Sequence, residues 1–383
     1  MIARTFIITL LVLSAFACEN YDSQDKISNG VSLHTGLGGD AAGYQRACGP
    51  MEFQFPKDHG AHPEFRNEWW YITGNLENTS AQRFGVHITF FRIASAPQTT
   101  TKDKDIKSSA WSGSEFYMAH FAITSAADKS IKYFERFGRS AAGLAGVSPA
   151  NNTTPNTRVW LDDWQLDIKE IDGQTQLQLA LSQETTALSL TLEADTPIIK
   201  QGVDGYSQKS ADPCNASYYY SLPRLTTTGD IIFNGIAHSV TGSAWLDREW
   251  SSSALADNQV GWDWFAMQLD DGRSIMVYQL RLQDNKVDTY SHAVEIDAAG
   301  NKTEIPFGDW TIETDEWWQS DSGSRYPVSG TFHRRDTKET IAFKPLINDQ
   351  ELDLTVRYWE GAIDLTNTRG QNIGRGYMEL TGY

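Results

Sequence analysis

Apolar and polar positions alternate along short stretches of this chain. Phe84-Gly85-Val86-His87-Ile88-Thr89-Phe90 carries a bulky apolar residue at every second position, and Leu177-Gln178-Leu179-Ala180-Leu181 and Leu188-Ser189-Leu190-Thr191-Leu192 do the same. Successive side chains of a strand point to opposite faces, so this period of two marks strands with one buried face. Turn signals separate the stretches: Asp172-Gly173, Thr228-Gly229-Asp230 and Asp270-Asp271-Gly272. The 3.6-residue period of a helix is nearly absent. The pattern predicts an all-β chain of antiparallel strands, arranged as a sandwich or a barrel. Closing a barrel removes sheet edges, and a barrel of roughly eight strands has room for one small ligand.

The pattern also repeats. Tyr117-Met118-Ala119-His120 and the residues after it match Tyr290-Ser291-His292 when the two histidines are superposed. Further matches follow in the same order. Asp163-Trp164 resembles Asp309-Trp310, and Trp70-Tyr71 resembles Trp264-Phe265. The run from Tyr220 resembles the run from Trp359, and Gly242–Trp245 resembles Gly376–Glu379. Preserved order argues for a tandem duplication of one β-domain. The first copy is expected over residues 49–253 and the second over 254–383. A residue special to one copy is then a better functional candidate than one shared by both. On the alignment above Asp247 is special, because Thr381 stands at its place in the second copy.

The N-terminus points to a compartment. Arg4 precedes an apolar run from Phe6 to Leu13, and Ala15-Phe16-Ala17-Cys18 follows. This is the layout of a bacterial signal peptide over residues 1–17, and its apolar run is too short for a stable membrane span. Two processing routes fit: ordinary cleavage after Ala17, or lipidation of Cys18. Residues 18–48 are polar and Gly-rich and read as a flexible tether. The expected location is the cell envelope, as a lipoprotein on the periplasmic side of a membrane, or as a periplasmic or secreted protein if Cys18 is not lipidated. Cys48 and Cys214 remain as an even pair in an oxidising compartment, where one disulfide is plausible.

The net charge of −17 argues against nucleic-acid partners and polybasic lipid binding. A membrane partner is expected only through the lipid anchor. No zinc-type Cys/His cluster, phosphate-binding Gly loop or Gly-x-Ser-x-Gly elbow is visible, so no metal or cofactor is implied and no serine nucleophile presents itself. Aromatic residues make up 12% of the chain and recur within the alternating stretches.

Several segments resemble one family. They are Phe55-Pro56-Lys57-Asp58-His59-Gly60-Ala61-His62-Pro63, Asn67-Glu68-Trp69-Trp70-Tyr71-Ile72-Thr73-Gly74, Tyr117–Ala122, Asn215–Ser221 and Trp245-Leu246-Asp247-Arg248-Glu249-Trp250. They are similar to the AttH and hydroxyneurosporene synthase group, which includes carotenoid 1,2-hydratases and proteins labelled as predicted secreted hydrolases. The resemblance runs from about Phe53 to the C-terminus. It implies two tandem lipocalin-like antiparallel β-barrels. It also implies a catalytic Asp on the strand that holds Asp247. Hydratases of the group carry a His and a Trp on the preceding strand, where this chain reads Tyr218-Tyr219-Tyr220 without a His.

Hydrating an isolated alkene takes an acid beside an apolar surface, aromatic faces to stabilise the resulting cation, and a base to assist water. On strand alternation Trp245, Asp247 and Glu249 share one face, with Leu246, Arg248 and Trp250 on the other. Asp247 and Glu249 are therefore candidate catalytic groups; the competing reading is a salt bridge to Arg248, Arg224 or Arg66. Glu68 is a third candidate, against a role in tying the barrel base. His120 could relay protons from a barrel lumen, although its counterpart His292 favours a structural role. Trp69, Trp70, Tyr71, Tyr218, Tyr220 and Trp245 are candidate ligand-binding residues. His59 and His62 read as loop-stabilising residues rather than metal ligands. Asp247 is expected to face an aromatic cavity of the first barrel, near Trp245, Glu68 and one Tyr of the 218–220 run. Three readings stay open: an enzyme hydrating or isomerising a terpenoid, polyene or lipid-like molecule, a non-catalytic carrier of such a ligand, and a structural envelope protein with side-chain-filled barrels.

Overall fold

The computed structural model describes residues 41–97, 115–148, 156–253, 255–284 and 286–383. The leader, Cys18 and most of the tether lie outside the described residues. Those described form two antiparallel sheets. The first contains β1 (Asn67–Asn78), β2 (Arg83–Ala94), β3 (Glu115–Ser125), β4 (Ser130–Arg139), β5 (Ala145–Ser148), β6 (Asn156–Leu161), β7 (Trp164–Ile171), β8 (Gln174–Gln183), β9 (Thr186–Ala194), β10 (Ile199–Lys200), β11 (Tyr206–Gln208), β12 (Ala216–Phe233) and β13 (Ile236–Ser251). The second contains β14 (Gln259–Leu269), β15 (Ser274–Leu282), β16 (His292–Ile296), β17 (Lys302–Ile305), β18 (Trp310–Gln319), β19 (Arg325–Arg334), β20 (Glu339–Pro345), β21 (Glu351–Asp353), β22 (Arg357–Thr366) and β23 (Asn372–Thr381).

Both sheets fold as hairpins closed by one long-range pairing. In the first, β4-β3-β2-β1 joins β13-β12-β9-β8-β7-β6-β5 through β1 against β13; in the second, β17-β16-β15-β14 joins β23-β22-β20-β19-β18 through β14 against β23. The same connectivity in each is the structural face of the repeat. The first sheet curls into a nearly closed barrel, whereas the second remains an open half-barrel.

Burial explains which strands show clean alternation. β7, β8 and β9 alternate between buried and more exposed residues, because one face packs the barrel core and the other meets solvent. β1 and β2 are buried along nearly their whole length. One face of β1 sends Trp70, Ile72 and Leu76 into the barrel interior. Its other face sends Tyr71 into a second apolar layer, shared with Trp264, Tyr278 and Tyr377 of the second sheet. The two sheets thus pack face to face along a seam. Gly85 shows how close they come: a Cβ there would lie 2.8 Å from the Ala362 Cβ.

The barrel interior is filled with side chains, from Phe65 and Trp70 to Trp164 and Trp250. At one end it also holds an ionic cluster. Arg92 and Arg248 both bind the Glu68 carboxylate, which accepts a 3.0 Å hydrogen bond from the His62 backbone N–H. The His62 ring stacks on Trp250 at 3.8 Å. Cys48 and Cys214 are disulfide-bonded, with Cα atoms 4.2 Å apart, and tie the segment before β1 to the loop before β12.

Candidate functional site

Strand register places a ladder of polar and aromatic side chains on the seam side of each sheet. In the first sheet, successive Cα partners across neighbouring strands are His120, Thr89, Tyr71, Asp247 and Ser221. In the second they are His292, Tyr278, Trp264, Glu379 and Glu360. With the two histidines superposed, Asp247 therefore corresponds to Glu379 and Tyr71 to Trp264. This corrects the alignment made from sequence. Asp247 is not matched by Thr381, and it is not special to one copy: both repeats carry a carboxyl there. The sequence match of Gly242–Trp245 to Gly376–Glu379 is two residues out of register, a slip that leaves every side chain on its proper face and so escapes a period-two pattern. That of Trp70-Tyr71 to Trp264-Phe265 is one residue out, and a one-residue slip exchanges the faces. Trp70 points into the barrel and Trp264 into the seam.

Between the two ladders lies a cavity of about 130 Å³. The first sheet contributes Trp69, Tyr71, Phe91, Tyr219, Asp247 and Glu249; the second contributes Trp262, Trp264, Tyr278, Tyr358 and Glu379; Lys209 enters from the loop after β11. The cavity expected within the first barrel is instead shared by both repeats, because the barrel lumen is packed.

Asp247 sits in this aromatic wall, buried, with three donors aimed at it. Tyr219 Oη donates at 2.5 Å, Ser221 Oγ at 2.5 Å and Trp245 Nε1 at 2.6 Å. Burial pushes its carboxyl up to about 7, against the pull of those hydrogen bonds, and the neighbouring Glu249 adds to the rise. Trp264 Nε1 donates to Tyr219 Oη at 3.3 Å, linking the acid's partner to the opposite sheet. Glu379 accepts a 2.9 Å hydrogen bond from Trp262 Nε1, and burial followed by the nearby Glu360 holds it well above the usual carboxylate range. Glu360 lies behind Tyr71, whose hydroxyl donates to it at 2.5 Å; burial keeps Glu360 well above that range too. Glu249 takes a different partner: it accepts from Ser217 and lies 3.4 Å from Lys209 Nζ. Burial pulls the Lys209 ammonium down, but Glu249 and Tyr278 outweigh it and hold it above its ordinary value. Lys209 also stands 4.1 Å over the Tyr278 ring.

The structure divides the candidates by face. Asp247, Glu249, Trp69 and Tyr71 line the cavity, and Trp245 backs Asp247. Glu68, Trp70, Tyr218 and Tyr220 do not reach it; they belong to the ionic cluster and the barrel interior. Tyr219, between the two tyrosines singled out, is the one that faces the cavity. His120 lies one layer behind, bonded through Nδ1 to the Tyr358 hydroxyl at 2.6 Å. Arg248 pairs with Glu68 on the far face of its strand, and Arg224 donates to the carbonyls of Leu269 and Arg273. His59 binds Tyr220 and Glu170, and His62 contacts Glu68 and Asp58. Sequence reasoning missed Lys209, Trp262, Tyr358, Glu360 and Glu379. Residue-by-residue register of the second sheet against the first finds all of these but Lys209, which stands in the loop after β11 and carries no such signal.

Comparison with known proteins adds the following. A sequence-family profile described as AttH-like matches residues 46–383. No curated protein matches the chain. Among solved structures, an AttH-type protein from Nitrosomonas europaea is 34% identical, with a TM-score of 0.77 over 88% of this chain and 99% of that one. Kievitone hydratase from Nectria haematococca is 14% identical, with a TM-score of 0.63 over 88% of this chain and 95% of that one. CghA with Sch210972 is 10% identical, with a TM-score of 0.51 over 84% and 89%. The last two likenesses are of fold alone.

Proposed function

The chain belongs to the AttH-like family, and on that premise we propose that it binds an apolar unsaturated molecule between its two sheets and hydrates or isomerises it with Asp247 as general acid. The observation that carries this reading is a buried carboxyl, pushed up to about 7, in an aromatic cavity. An acid of this kind is still protonated near neutral pH. When it gives its proton to an alkene carbon, the π pair forms the new C–H bond and the neighbouring carbon becomes a cation. Trp69, Trp262, Trp264 and Tyr219 line the same cavity, and an aromatic face turned to the cation stabilises its charge. The carboxylate left behind is met by Tyr219, Ser221 and Trp245, three donors already in place. Addition of water to the cation gives an alcohol; loss of a neighbouring proton gives an isomerised alkene. The hydratase name of one fold neighbour supports the first outcome. Extraction of the purified protein with organic solvent tests the reading. It should release an unsaturated apolar molecule from the wild type and from Asp247→Asn, altered only in the wild type. Recovery of the same unaltered molecule from both makes the protein a carrier.

The chain is further proposed to be exported and tethered through Cys18. The Cys48–Cys214 disulfide supports passage through an oxidising compartment. Globomycin should make an unprocessed precursor accumulate; unchanged processing, with a mature N-terminus free of acyl chains, argues for ordinary cleavage.

A further inference from the structure

Water addition leaves a proton on the new oxygen, and a cavity filled by an apolar ligand holds little water to remove it. Tyr358 lines the cavity from the second sheet. Its hydroxyl lies 2.6 Å from His120 Nδ1, and His120 Nε2 lies 3.1 Å from Glu135 Oε1. The other Glu135 oxygen accepts from Thr355 Oγ1 at 2.7 Å, and Glu135 retains 12% side-chain exposure. His120 itself is fully buried. These residues come from β22, β3, β4 and the turn before β22, so the row crosses the seam and ends at the surface.

Resting on the reading of a hydrating cavity, we propose that Tyr358, His120 and Glu135 form a proton exit from that cavity to solvent. The donors are ordered for it. Glu135 is the acceptor at the surface, so His120 carries its proton on Nε2 and presents a bare Nδ1 to Tyr358. His87 completes the order from the other side: its Nε2 lies 3.1 Å from the Tyr358 oxygen, and its Nδ1 lies 3.3 Å from Glu360. A His87 Nε2–H donated to Tyr358 turns the Tyr358 proton toward His120. The Tyr358 oxygen keeps one lone pair that neither histidine uses. The protonated product oxygen then gives its proton to Tyr358, Tyr358 passes its own to His120 Nδ1, and His120 passes the Nε2 proton to the Glu135 carboxylate. Solvent removes it there. Asp247 regains its proton from solvent when the product leaves, so the protons balance; rotation of the Tyr358 hydroxyl and tautomer exchange at His120 restore the starting order.

The barrel interior contains a natural comparison. Tyr220, His59 and Glu170 make the same row, at 2.6 Å and 2.9 Å, but Tyr220 is packed among aromatic rings and meets no cavity. Exchange of the Tyr358 hydroxyl and His120 Nε2 protons with water, read by NMR on selectively labelled protein with the cavity filled by a saturated hydrocarbon such as hexane, tests the path. Glu135→Gln should slow exchange of both protons by about tenfold or more, with the amide spectrum and the Tyr220 hydroxyl unchanged. If that variant does not fold, His120→Gln should slow the Tyr358 hydroxyl alike. An unchanged Tyr358 exchange rate in a folded variant overturns the proposal, as does wild-type Tyr358 exchange no faster than that of Tyr220. The readout needs no substrate, so failure of Asp247 as the acid would leave this result standing, and the reverse.

Discussion

Asp247 combines two opposed influences, and the balance between them decides its chemistry. Three hydrogen bonds favour the carboxylate, yet burial prevails and holds the group at about 7. The acid form is therefore lost as pH rises through about 7, and turnover should fall about tenfold per pH unit above it. The same shift has a stability consequence. The folded value lies above the ordinary 3.8, so the native state binds the extra proton in between. The stability that Asp247 contributes is fully present below about pH 4 and is lost as pH rises through about 7. Asp247→Asn should remove both dependences and lower turnover at least about 100-fold while leaving ligand affinity largely intact; pH–rate and pH–unfolding profiles of the pair check this. Glu68 predicts the opposite pattern. It is held well below the usual range because Arg92 and Arg248 outweigh its desolvation. Glu68→Ala leaves two buried guanidinium groups facing each other and should cost about 3–5 kcal/mol in denaturant unfolding. A stable, inactive Glu68→Ala would return it to the catalytic list. Its sequence neighbourhood, between Asn67 and three aromatics, looked no different from that of Asp247; the facing arginine on each side is set by tertiary structure.

Strands explain what the sequence could and could not convey. Alternation placed Trp245, Asp247 and Glu249 on one face, and the structure has them there. It did not say which face looks into the barrel and which into the seam, because β1 and β2 are buried on both sides along most of their length, β12 over residues 216–223 and β13 over residues 244–251. Alternation therefore cannot tell Tyr218 and Tyr220, which enter the barrel, from Tyr219, which faces the cavity. The seam itself rests on small residues. Gly85 on β2 faces Ala362 on β22, and a Val at Gly85 would place its Cβ within 2.8 Å of the Ala362 methyl. Gly85→Val should destabilise the chain by about 1–3 kcal/mol through overpacking and weaken ligand binding, because it pushes apart the two walls of the cavity. Unfolding and binding measured together on this variant check the point; loss of stability with unchanged binding would place the ligand elsewhere.

At the scale of the whole molecule, two sheets of like strand order make the site together. Each repeat places a carboxyl, an aromatic residue and a histidine on one ladder, and packing the ladders against each other encloses a cavity that one repeat would only half line. The repeats have diverged across it. Asp247 is met by Tyr219, Ser221 and Trp245, while its counterpart Glu379 has Trp262 and a neighbouring buried acid, Glu360. That division leaves Asp247 as the group that can both release a proton and stabilise the resulting charge. Growth in heavy water of the reaction mixture's isotope content reports this act directly, since hydration and isomerisation alike begin with a proton delivered to carbon. The unsaturated molecule extracted from the protein should be returned to it in D₂O and analysed by mass spectrometry. Wild type should place deuterium on carbon, and Asp247→Asn should bind the molecule without doing so. Carbon-bound deuterium arising at the wild-type rate in Asp247→Asn, or none arising in the wild type, would contradict the account.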